Sequence, residues 1–281
     1  ELRYEDNSNR NYISNRFTMD GEINHGRSEE HRQTLRTSRL SAGNYFNLIR
    51  NRENSTWEFR SATQYAYQPA SLLLEEGKSK FNQHSFYTDN SAAYLRKYNG
   101  FTQQYKAGIQ GERATMKYIP PTQPNDFNAS NLSLYFNPYF QLQRGKWLAT
   151  LSLPLKAQRY FSQQRSFLFF NPSTYLRYKQ DYHWMFSLYG NLKRSAGDFS
   201  DLYPGLYQTD YRTWRSGNGL FPTSTTQTYN LYGEYKNTVQ EFFVTASLTY
   251  SRSNRNTLFE QSVSENAIVY TRRELPNHSD S

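Results

Sequence analysis

The stretch YNLYGEYKNTVQEFFVTASLTYSRS, residues 229–253, decides how the rest of the chain is read. In its later half Phe242, Val244, Ala246, Leu248 and Tyr250 alternate with Phe243, Thr245, Ser247, Thr249 and Ser251. That is the two-residue period of a strand with one face that avoids water and one that accepts it. The same alternation runs through NLSLYFNPYFQLQRG, with Leu132, Leu134, Phe136, Phe140 and Leu142 on one side. It returns in KWLATLSLPLKAQRYF, with Trp147, Ala149, Leu151, Leu153, Leu155 and Ala157. Only QRGK separates these two stretches, which therefore read as a hairpin.

Further strands are predicted at roughly 11–24, 34–50, 55–68, 84–97, 100–114, 165–179, 181–194, 229–236 and 240–252, about eleven in all. The segments 84–97 and beyond 257 lack a clean apolar face. No segment carries a helical period. Joins near IRNRENS, RKYNG, QRGK, YKQDY and EYKNT are short. They interleave with longer joins near GRSEEHRQ, PASLLLEEGKSKFNQ, IPPTQPNDFNAS and 195–225, with FSQQR a short member of the second set. Alternating short and long turns is the signature of an up-and-down outer-membrane barrel. Pro138, Pro154 and Pro172 fall inside predicted strands and call for bulges or irregular ladder positions.

Composition agrees with this class. The chain has 281 residues, is 36% hydrophobic, and holds 25 Tyr and 19 Phe, so aromatics replace much of the usual aliphatic core. No run approaches the roughly 20 apolar residues that a membrane-spanning helix needs, and a mean hydropathy of −0.93 suits strands with one polar face. An apolar band about 25 Å tall, crossed at about 40°, needs only about 10 residues per strand. Trp57, Trp147 and Trp184 lie near short turns, where an interfacial aromatic girdle belongs. The net charge of +9 is spread along the chain with no dense basic block, which argues against a nucleic-acid partner. Cysteine is absent, removing disulfides and thiolate metal sites. The opening ELRYEDNSNRNY has no apolar h-region, so the chain is expected to begin after a processing site or to be an internal piece.

The segments FLFFNPSTYLRYKQDYHWMFSLYGNLKRS and SDLYPGLYQTDYRTWRSGNGLFPTSTTQTYNLYGEYKNTVQEFFVTASLTYSRSNRN resemble the barrel of TonB-dependent receptors of the Bacteroidota type. Arg194-Ser195, Gly217-Asn218 and the strand Tyr229 to Tyr235 stand where that family has a strand end, a glycine-asparagine pair and an aromatic strand. The resemblance covers about residues 165–257 and the remainder by pattern alone. It implies an antiparallel transmembrane barrel of about 22 strands, of which this chain supplies about half and no plug. Residues 1–281 are thus expected to form one partial barrel of about 11–12 strands. A long external loop is expected at about 195–225, and the chain end, about 257–281, is expected in another external loop.

The implied partners are outer-membrane lipid, the rest of the barrel and plug on the same parent or a neighbouring chain, and TonB and a surface lipoprotein. No cofactor is implied, and no enzyme. His25, His31, His84, His183 and His278 are scattered, no Gly-x-Ser-x-Gly elbow or phosphate loop occurs, and no pair of carboxylates stands out. Arg16, Asp20, Glu22, Glu58, Arg60, Lys106, Glu112, Lys156 and Glu234 belong to the polar faces. Their mixed signs suggest a hydrated or plugged interior. Within 195–225, Tyr203, Tyr207, Tyr211, Trp214 and Phe221 are candidates for stacking on a sugar or peptide. The expected function is import of a nutrient (glycan, peptide or metal chelate) across the outer membrane. Two readings compete with it: a surface or assembly barrel without transport, and a soluble secreted β-protein that binds glycans.

Overall fold

A computed structural model describes residues 1–8, 10–28, 33–74, 77–119, 125–197, 199–208, 212–217, 219–264 and 267–281. The first half of the sheet is built from β1 (Leu2–Asn7), β2 (Asn11–Ser28), β3 (Gln33–Arg52), β4 (Ser55–Leu74), β5 (Gly77–Tyr98), β6 (Phe101–Ile119) and β7 (Asn125–Arg144). Then come β8 (Trp147–Ser152), β9 (Leu155–Tyr160), β10 (Arg165–Phe170), β11 (Ser173–Lys179) and β12 (Trp184–Ala196). The short helix α1 (Phe199–Leu202) and the strands β13 (Tyr207–Gln208), β14 (Thr213–Ser216), β15 (Thr223–Asn237), β16 (Phe242–Val263) and β17 (Ile268–Asp280) complete the chain. All 17 strands join one sheet. Its ladders are antiparallel except for β14 beside β17. Among the described residues no ladder joins β1 to β17, so the sheet is open.

The turns expected to be short lie at one end and the longest joins, 120–124 and 197–222, at the other, although two joins at that second end, 75–76 and 161–164, are also short. Asn99 and Gly100 turn with φ of 42° and 79°, the positive values that a two-residue hairpin matched to strand twist requires. In the turn before β12, the carboxylate of Asp181 accepts from the backbone N–H groups of Trp184 and His183, 2.8 Å each. Those bonds hold its carboxyl below the usual range.

The three prolines form one diagonal seam. β8 and β9 are halves of a single crossing broken at Pro154, and β10 and β11 are halves of another broken at Pro172. Lacking an N–H, each proline still offers its carbonyl to the next strand. Leu153 N–H donates to Pro138 O at 2.9 Å, Asn171 N–H to Pro154 O at 3.0 Å, and Leu192 N–H to Pro172 O at 2.9 Å. The ladder irregularity expected at these positions is therefore shared stepwise among neighbours.

Register aligns the apolar positions into rows. One runs Ile13, Leu48, Phe59, Ala92, Ala107, Phe136, Leu155, Phe170 across β2 to β7, β9 and β10. A second runs Phe101, Leu142, Ala149, Leu176, Leu188, Leu231, Leu248 from β6 to β16. Residues directly opposite in an antiparallel ladder share a face, so these rows make a continuous apolar band. Near the short turns it ends in cross-strand Trp–Tyr pairs. Trp57 meets Tyr94, Trp147 meets Tyr178 and Trp184 meets Tyr235, with ring centroids 4.7, 4.5 and 4.7 Å apart.

Three expectations are corrected. PASLLLEEGKSKFNQ is mostly strand: β4 reaches Leu74 and β5 starts at Gly77. The chain end is not an irregular loop, because β16 continues to Val263 and β17 follows. The segment between β12 and β15 is not an open excursion either. It folds back on the sheet, burying Phe199, Leu202, Tyr203 and Phe221 with Ala114, Met116, Tyr118, Ala129 and Tyr160.

Candidate functional site on the polar face

Burial along β7 is inverted relative to a water-soluble sheet. Ser133 is 1% exposed while its neighbour Leu134 is 56% exposed, and Tyr135 is at 9% against 43% for Phe136. The polar face is thus the crowded, concave one, and the apolar face is turned outward. Glu58, Arg60, Lys106, Glu112 and Lys156, placed on the polar face from their parity, do share it. One polar row runs Asn47, Arg60, Ser91, Gly108, Tyr135, Lys156.

The wall of this concavity carries a connected set of polar groups. Tyr135 donates its hydroxyl to Asp89 at 2.8 Å, and Gln110 reaches the other oxygen of Asp89 at 3.4 Å and the Tyr87 hydroxyl at 3.5 Å. Asn131 donates to Glu112 at 3.1 Å, and the Lys106 ammonium lies 5.7 Å from the Tyr135 ring centroid. Beside them is a cavity of about 320 Å³ lined by Glu112, Asn131, Lys156, Gln158, Tyr160, Lys193, Arg194 and Phe199. It offers both signs of charge, amide groups and two aromatic edges. Such a lining suits a polar solute with mixed donors and acceptors.

The stacking residues expected in 195–225 are not gathered into an exposed platform. Tyr203 is 1% exposed and meets Phe81 and Phe127 edge-on, at centroid distances of 6.5 and 5.8 Å. Phe221 is buried against Tyr160 and Phe167, at 4.7 and 5.5 Å. Trp214 is half-buried on the same cluster. The backbone of Tyr207 pairs with Arg215, whereas its side chain and all of Tyr211 lie outside the described residues. These aromatics dock the segment onto the polar wall. Asn256 fixes its exit by donating to Phe221 O at 2.8 Å and accepting from Thr223 N–H at 2.6 Å.

The residues missed from sequence are Tyr87, Asp89, Gln110, Asn131 and Tyr135. Their signal was parity with Glu112 and Lys156, which the strand period already carried. The histidines stay apart. His84 stacks on Tyr67 at 4.5 Å and His183 on Tyr235 at 5.9 Å, and His31 lies outside the described residues. Among the described residues no cluster of metal-ligating side chains occurs.

No protein-family model and no curated protein sequence matches the chain. Solved structures do. The hemophore receptor HasR of Serratia marcescens, solved with its hemophore HasA and heme, aligns with TM-score 0.56 at 8% identity, over 96% of this chain and 51% of its own. The alcaligin outer-membrane receptor FauA of Bordetella pertussis aligns at 0.52 and 10%, over 99% and 47%. The siderophore receptor PirA of Pseudomonas aeruginosa aligns at 0.50 and 11%, over 96% and 58%. The chain therefore spans about half the length of the receptors it matches. At these identities the likeness carries the fold alone: an open antiparallel β-sheet like part of the barrels of those structures.

Proposed function

We propose that the chain is the barrel-wall segment of a TonB-dependent outer-membrane importer of the Bacteroidota type, and that its polar concavity lines the solute path. The observation that carries this reading is the inverted burial, with small polar residues such as Ser133 enclosed and Leu134 turned outward. In water an exposed band of that kind would aggregate, whereas in a bilayer it is the solvated surface. A soluble glycan-binding sheet leaves the band unexplained. The open edges at β1 and β17 call for further strands, because an unpaired edge inside hydrocarbon leaves backbone groups unsatisfied. The sequence resemblance supports a plug and TonB as the remaining parts. The mixed lining beside Lys156 and Glu112 supports a polar solute.

Uptake measured with a panel of ferric chelates, oligosaccharides and peptides tests this. Cells producing the full-length protein should take up at least one panel member faster than a deletion strain, and collapse of the inner-membrane proton gradient should abolish the difference. Equal uptake of every member would favour the surface or assembly barrel. Uptake that survives loss of the gradient would remove TonB.

A further inference from the structure

On the apolar face, close to the short turns, Leu48, Arg50, Arg52, Trp57, Glu58, Phe59 and Ala92 line a concavity of about 340 Å³. Its shape follows from the rows. Phe59 pairs with Ala92, which pairs with Ala107, so two methyl-sized side chains leave a trough beside a large ring. Trp57 closes the end nearest the turn and pairs across the strand with Arg50. Arg50 and Arg52 share the face of Leu48, two and four residues on. Both guanidiniums are exposed, and neither joins an ion pair among the described residues. The nearby carboxylate of Glu58 is engaged with Arg60 at 2.7 Å.

An apolar trough that opens onto two unpartnered cations at the membrane boundary matches one kind of molecule, an acyl chain carrying a phosphate. From this geometry we propose a site for an anionic phospholipid of the leaflet nearest the short turns. One acyl chain lies against Leu48, Phe59 and Ala92, and the phosphate is held by Arg50 and Arg52. A related ladder, Arg144 opposite Trp147 opposite Tyr178, has beside it a single alanine, Ala149, flanked by Leu142 and Leu176 in place of two adjacent alanines, and serves as an internal control. The proposal rests on the outer-membrane reading above, and its test is arranged so that the two fail differently.

The full-length protein is reconstituted in phosphatidylcholine vesicles containing a minority of phosphatidylglycerol, with brominated acyl chains on one lipid at a time. The Trp57 signal is the difference between the protein and its Trp57→Phe variant, and Trp147 is read likewise with Trp147→Phe. Brominated phosphatidylglycerol should quench Trp57 beyond its share of the bilayer, by a local enrichment on the order of fivefold. Arg50→Gln with Arg52→Gln should abolish the enrichment, lysine at both positions should keep it, and Arg144→Gln should leave it unchanged. Quenching of Trp57 in simple proportion to composition, or an enrichment that survives the glutamine pair, overturns the site. Quenching of Trp147 but of Trp57 by neither lipid means that a protein neighbour covers the trough, which also overturns it. If neither tryptophan is quenched by either lipid, the outer-membrane reading itself fails.

Discussion

Gly108 lies directly opposite Tyr135, and the ring covers the space a side chain would fill. A Cβ built there would stand 2.5 Å from the Tyr135 ring and 2.7 Å from the backbone oxygen of Asn90. The ring tip can yield, but the Asn90 carbonyl is held in the ladder. Gly108→Ala is therefore expected to destabilise the barrel by about 1–3 kcal/mol, the usual cost of overpacking, and to pull the Tyr135 hydroxyl from Asp89. Urea unfolding of the full-length protein in thin bilayers measures this, and an unchanged midpoint would show that Tyr135 does not cover the glycine. The same device recurs where Tyr229 packs against Gly190 and Phe186 against Gly233. Aromatic cover of a strand glycine supplies contact where the backbone has none of its own. It also explains part of the high Tyr and Phe count that composition alone left as a class signal.

Strand elements were legible wherever their two faces meet different surroundings, and illegible where both meet the same one. Val244, Ala246 and Leu248 announce β16 because they make one of its faces apolar while Thr245, Ser247 and Thr249 make the other polar. The upper parts of β4, β5, β16 and β17 extend past the apolar rows, where the two faces no longer differ, Leu72 and Leu73 falling on opposite faces of β4 and polar residues on both faces of Gly77–Lys80, so hydrophobicity loses its period while the ladder bonds continue. That is why Ser71–Leu74, Gly77–Gln83 and the chain end read as loops. Parity still gives a sharp test. Ala246→Arg places a cation in the apolar band at a cost of about 2–4 kcal/mol if it lies near the midplane. Ser247→Arg, opposite Tyr232, faces the hydrated side and should cost far less. The penalty at Ala246 should grow in thicker bilayers. Equal cost at both positions would sink the strand assignment, and a cost blind to thickness would remove the lipid. A second element-level device is the register shift between Arg255 and Thr257 in β16, which frees Asn256 to hold Phe221 and Thr223. A bulge of this kind re-aims a side chain. Replacing Asn256 with Ala should loosen the docked segment, seen as faster thiol labelling of a cysteine at Ser216, which is 8% exposed. If that rate does not change, Asn256 does not fasten the segment.

At the scale of the whole molecule, the docked segment between β12 and β15 could not be read from sequence, since its aromatics answer to partners on β5, β6, β7, β9 and β10. Tyr203 finds Phe81 and Phe127 more than 70 residues away in the chain, and no local period encodes such a contact. The direction of the strands was legible, because the turns near 53–54, 99–100, 145–146, 180–183 and 238–241 all fall at one end and the longest joins at the other. If the long joins face the cell exterior, as in up-and-down outer-membrane barrels, the two ends must differ toward a reagent that cannot cross the membrane. Leu206, 44% exposed in the docked segment, and Val239, 92% exposed in the turn between β15 and β16, are suited to the comparison. Neither position is deeply buried, so a difference between them reports sidedness and not packing. A cysteine at Leu206 should label on intact cells with a membrane-impermeant thiol reagent, while one at Val239 should label only after the outer membrane is permeabilised. Ser216, buried beneath the same segment and donating to Pro204 O at 3.2 Å, should label slowly from either side. The reverse order at Leu206 and Val239 would place the short turns outside. Equal labelling on intact cells would mean that the chain does not separate two compartments.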